Sequence, residues 1–152
     1  MEQISDLQYI KSRESVLFWM RFSITIVMGL LAAFGLIELV RYLIVLKIYD
    51  SIVIWIYVGI FFVCFPFFCY FGVVKNKTIP FLIFASLTFI PTLAFSFACP
   101  MALFYHNNGR FPTLVSGIII YGSIITFIAF CIVYGIISKR IKKRKNNLII
   151  PS

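Results

Sequence analysis

Two charges stand inside a long apolar run of this chain. They are Glu38 and, three residues on, Arg41, within the stretch Arg21 to Lys47, RFSITIVMGLLAAFGLIELVRYLIVLK. An acid and a base three apart lie on one side of a helix, so each partly offsets the other. An ionised side chain at the centre of a bilayer costs about 2.5–3.5 kcal/mol. Sixteen apolar or weakly polar residues separate Arg21 from Glu38. A helix rising 1.5 Å per residue therefore sets the carboxylate about 25 Å from Arg21, near the far edge of a hydrocarbon core about 30 Å thick. Either the pair ends the span at the interface, with Arg41 snorkelling beside Tyr42, or it faces another helix or a polar cavity.

The other residues with chemistry to offer are few. His106 is the sole histidine and lies in the loop HNNGR (His106 to Arg110). Four cysteines, Cys64, Cys69, Cys99 and Cys131, form no CxxC pair and read as small apolar fillers rather than a redox couple. The apolar runs hold no aspartate for an intramembrane acid pair. No nucleophile elbow, HExxH or phosphate-binding glycine loop occurs. No His, Cys and acid cluster converges on metal-ligand spacing. The expectation is a non-catalytic protein without cofactor or metal.

The elements that must position these residues are set by hydropathy. The chain has 152 residues, 62% hydrophobic and 12% charged, with a mean hydropathy of +1.02. A soluble domain is about half apolar and a quarter charged. Four runs long enough to cross a bilayer predict an all-α, polytopic integral membrane protein, one antiparallel four-helix domain over 1–152 with spans near 18–46, 52–74, 79–105 and 112–138. Pro66 should kink the second span. Pro80 falls in the first turn of the third, where a missing N–H does no harm, and Pro112 opens the fourth. Residues 1–15 are polar. Ile4, Leu7 and Ile10, with a capping-box pattern at Ser5 and Gln8, predict either a short interfacial helix or a frayed end. Glu2, Asp6 and Glu14 argue against a signal peptide.

Charge asymmetry orients the spans. Lys11, Arg13, Arg21, Lys75, Lys77 and six residues of the tail (Lys139, Arg140, Lys142, Lys143, Arg144 and Lys145) make eleven on one side, against Arg41, Lys47 and Arg110 on the other. Both ends are therefore expected on the cytoplasmic side of a plasma membrane. There the Asn76-Lys77-Thr78 sequon would escape glycosylation. The tail over 139–152 is expected to contact anionic lipid rather than nucleic acid, because headgroups are the first anions it meets. The Lys-, Asn- and Ile-rich usage points to a bacterial source.

Helix faces carry the remaining information. In the third run Ala85, Thr88, Thr92, Ser96 and Cys99 fall within a sector of about 80°, a small and hydroxyl-bearing seam suited to close helix packing in lipid. Thr113, Ser116, Ser123 and Thr126 form a looser counterpart in the fourth. In the first, Thr25, Gly29, Ala32 and Ala33 predict a packing face, with Gly29 and Ala33 at small-xxx-small spacing. Glu38 would then point away from the other three helices and need a cover.

Two functions follow as expectations. The first is an interaction protein, an accessory subunit or an immunity or exclusion-type factor that binds another membrane protein, or itself, through helix contacts. The alternative is a small oligomeric transporter or pore for an ion, a lipid-linked solute or an amphipathic one, with Glu38, Arg41, His106 and Arg110 at its outer mouth. Glu38 by itself resembles the first-helix carboxylate of small multidrug-resistance exporters. Its neighbour Arg41 and its place near the end of the run depart from that pattern.

Overall fold

A computed structural model describes residues 1–75, 77–108 and 113–149. Asn76, Arg110 and Pro112 lie outside the described residues, as does the side chain of Thr113. The described chain is all-helical: α1 (Glu2–Leu46), α2 (Ile52–Val73), α3 (Thr78–Leu93), a π-helical turn (Ala94–Ala98), α4 (Cys99–Asn108) and α5 (Thr113–Ile149). Because α3, the π turn and α4 run on without a break, four helices are long and apolar enough to cross a membrane.

The first helix departs from expectation. Residues 2–15 are neither frayed nor a separate interfacial helix but the opening turns of α1, which runs for 45 residues. Met1 is the N-cap, and Ser5 turns its hydroxyl back on Glu2 O at 2.7 Å instead of capping. The extension is held from outside itself. Asp6 accepts from Arg144 at 2.9 Å, Glu14 pairs with Lys145, and the Arg144 guanidinium lies 3.9 Å from the centroid of the Tyr9 ring. Ile10 and Ile141 are buried in the same apolar cluster. At 45 and 37 residues, α1 and α5 measure about 67 and 55 Å at 1.5 Å per residue, well beyond an apolar core of about 30 Å.

Proline and packing shape the third helix. Pro91 has no N–H for the carbonyl one turn back, and the Ala94 N–H is shared between Ile90 O and Pro91 O. The ladder then widens, so that Cys99 N–H reaches Ala94 O, five residues back. This register accommodates the ring of Pro100 a residue later. The π turn packs on α1, where Ser96 Oγ donates to Leu31 O at 2.7 Å. A Cβ on Gly35 would come within 2.9 Å of Phe95 Cβ and 2.8 Å of Ser96 Oγ, so only glycine permits this approach. At the other turn, Lys47 closes α1 in the left-handed region at φ 53°, and Trp55 Nε1 donates to Tyr49 O at 2.9 Å across the connection to α2.

Aromatic side chains fill much of the interior. Phe68, Phe81 and Tyr134 are fully buried. Their rings are in contact, with centroids 5.6 Å apart for Phe68–Phe81 and 5.3 Å for Phe81–Tyr134. This stack joins α2, α3 and α5, while α1 touches every other helix.

Candidate functional site

Two polar sites bracket the apolar part of α1, one near the middle of the helix at Arg21 and one near its C-terminal end at Glu38. At the first, Arg21 belongs to a buried face that continues through Thr25, Met28, Ala32, Gly35 and Leu39, alternating steps of four and three along one side of the helix. Only 5% of Arg21 is exposed. Its Nη1 donates to Lys75 O at 3.0 Å and Phe71 O at 3.5 Å. The last carbonyls of a helix lack donors of their own and carry the negative end of its dipole. Arg21 thus serves as the cap of α2. Thr25 supports it from below, its hydroxyl donating to Arg21 O at 2.7 Å. Gly72 leaves room for that hydroxyl, and any Cβ there would collide with it. Arg21 Nε remains buried without a hydrogen-bond partner. The Tyr134 hydroxyl is likewise buried without a hydrogen-bond partner, and Thr78 is bonded to Ser138.

Sequence reasoning counted Arg21 as a flanking topological charge and missed its role as a cap. Thr25 one turn away on the same face was the only local hint, and it does not reveal that the end of α2 covers Arg21.

Beside this centre an open cavity of about 680 Å³ lies between α1, the start of α3 and the end of α5. Lys77, Lys139, Lys142 and Lys145 line it with a single acid, Glu14. The expected lipid-contact tail therefore divides. All six are exposed, but Lys139, Lys142 and Lys145 line the cavity, Arg144 is paired with Asp6, and Arg140 and Lys143 do neither.

The second site holds Glu38 and Arg41, 3.8 Å apart, with 13% and 62% of their side chains exposed. A smaller cavity of about 200 Å³ adjoins them, with Pro100, Leu103, Phe104, Asn107 and Asn108 on its other walls. The expectation that Glu38 points away from the other helices is overturned. It follows Gly35 by three residues, about 60° away on the helix, and Gly35 is where α1 meets the π turn. His106 is not in a loop, because α4 continues to Asn108. It is exposed and stands apart from the cavity, where Asn107 and Asn108 join Glu38 and Arg41 instead. Arg110 lies outside the described residues.

The seams divide in the same way. Ala85, Thr88, Thr92 and Ser96 are all buried. Thr88 and Thr92 spend their hydroxyls on the carbonyls of Phe84 and Thr88 at 2.7 and 2.8 Å. Gly29 and Ala33 are not the packing face of α1. A Cβ on Gly29 would meet nothing within 4 Å and Ala33 is exposed, because Ala32 and Gly35 take the contact. In α5 Ser116 is buried. Ser123 and Thr126 turn back on Ile119 O and Gly122 O at 2.8 and 2.7 Å. Phe127, Tyr134 and Ile141 enter the apolar core from this helix.

Among the described residues no three His, Cys, Asp or Glu side chains stand close enough to hold a metal ion, and the four cysteines are free thiols. No protein family, curated protein or solved structure matches the chain.

Proposed function

We infer that this is a small non-catalytic integral membrane protein that works through helix contacts with another membrane protein, as an accessory subunit or an immunity or exclusion-type factor. The observation that carries this reading is the pair of small-residue faces left uncovered. Gly29 and Ala33 on α1, with Gly122 and Thr126 on α5, have the spacing that lets a second helix approach closely. Yet a Cβ at Gly29 or Gly122 would find open space. The buried hydroxyls support the same reading. Those of Thr25, Thr88, Thr92 and Ser96 are bonded to helix carbonyls and so are not free to line a solute path.

In this reading the four helices form one antiparallel bundle in a bacterial plasma membrane, with residues 2–20, the turn at Lys75 and the basic tail on the cytoplasmic side. The balance of eleven basic residues to three supports that orientation. So do the contacts that gather Arg21 with Lys75, Asp6 with Arg144 and Glu14 with Lys145.

Replacing Gly29 or Gly122 by Leu tests the proposal, because both sites have room for a side chain. Each change is expected to abolish stoichiometric cross-linking to a distinct membrane protein while the purified chain keeps its thermal stability. Unchanged cross-linking in both variants would contradict it. The second reading, an oligomeric transporter or pore, draws on the cavity at Glu38. A homo-oligomer that conducts in liposomes, and stops doing so on Glu38→Gln, would favour it.

A further inference from the structure

We propose that the larger cavity binds the headgroup of an anionic glycerophospholipid, its phosphate on Lys77, Lys139 and Lys142 and its acyl chains along Ile79, Leu82 and Gly135. Charge comes first. Four lysines meet one carboxylate here, and Glu14 is already taken by Lys145. Lys77, Lys139 and Lys142 have no carboxylate partner among the described residues. The start of α3 adds to the field. Lys77 is its N-cap, in extended conformation and without a side-chain cap, so the first-turn N–H groups at Thr78 and Ile79, which line the cavity, leave the positive end of the helix dipole uncapped by a side chain.

Shape and depth complete the fit. About 680 Å³ is in the range of small-molecule sites. The walls change character along the helix axis, from lysine at 139 and 142 to glycine at 135 and leucine at 82, the order of a phospholipid from phosphate to hydrocarbon. A Cβ on Gly135 would meet nothing within 4 Å, which leaves a slot for a chain. Basic pockets between helices at the membrane surface bind such headgroups. The site differs from diffuse attraction by the whole tail, because Arg140 and Lys143 lie outside it. It also holds independently of any partner helix on α1 or α5.

Native mass spectrometry of the detergent-solubilised protein, titrated with dioleoylphosphatidylglycerol or dioleoylphosphatidylcholine, tests the proposal. The expected result is retention of the anionic lipid over the zwitterionic one. K139Q/K142Q should weaken retention about 30-fold, and R140Q/K143Q, with the same change of charge, less than about twofold. Gly135→Leu fills the slot without touching charge and should also weaken retention. Equal losses in the two double variants would overturn the site in favour of a diffuse tail. Competition by millimolar inorganic phosphate, with Gly135→Leu behaving as wild type, would overturn the lipid in favour of free phosphate.

Discussion

At one end of the apolar part of α1, near the middle of the helix, a guanidinium is buried against two backbone carbonyls. Seventeen residues along the same helix, a carboxylate leans on an arginine that is 62% exposed. Arg21 makes no ion pair among the described residues and is almost fully covered. Glu38 has its counter-ion at 3.8 Å, a distance beyond good hydrogen-bond range. Here the more deeply buried charge is the one that fills polar vacancies, not the one beside an opposite charge. The end of α2 offers Arg21 such vacancies. Among the described residues no hydrogen bond to Glu38 is comparable, and its neighbours across the cavity are Pro100, Leu103, Phe104 and two asparagines.

The largest expected effect follows from removing the better-satisfied charge. Arg21→Leu strips two carbonyls of their charged donor and should cost about 2–4 kcal/mol, read as a lower unfolding midpoint in detergent. Arg21→Lys should recover only part of this, since an ammonium lacks the forked reach of a guanidinium. Equal midpoints for Arg21→Leu and wild type would show that the cap contributes nothing.

Next comes the backbone approach. Gly35→Ala and Gly72→Ala push a methyl into the π turn and into Thr25, and each should cost about 1–3 kcal/mol. Adding Thr25→Ala should relieve the second but not the first. Gly29→Ala should stay within about 0.5 kcal/mol of wild type, because that face is open. A large penalty at Gly29 in the isolated chain would mean that the packing face of α1 has been misplaced.

Glu38→Gln should have the smallest effect, under about 1 kcal/mol, as for a partly exposed ion pair. A loss above about 2 kcal/mol would indicate a carboxylate held as tightly as Arg21, and the contrast between the two ends would fail.

The four apolar runs were legible in the sequence because hydropathy is a one-dimensional signal. Crossing lipid demands it whatever the helices later touch. The seam at Ala85, Thr88, Thr92 and Ser96 was legible too, since hydroxyls and small residues on one side of a phenylalanine-rich helix leave little choice of face. The face of α1 was not. Small residues at 29, 32, 33 and 35 spread over about 160° of the helix, and choosing among them requires the position of Ser96 on a partner more than sixty residues away. The same limit hid Arg21: its burial depends on where α2 ends. It also hid the continuity of residues 2–15 with the first span, which relies on Arg144 and Lys145 at the far end of the chain.

Cysteine labelling from either side of a sealed membrane tests the proposed four crossings most directly. With the four native cysteines replaced, single cysteines at Gln3, Lys77 and Asn146 should react with an impermeant maleimide from the cytoplasmic side only. One at Tyr49 should react from the opposite side only. Labelling of Gln3→Cys and Asn146→Cys from different sides would contradict an even number of crossings, and with it the shared basic end on which Arg21, the cavity and the tail depend.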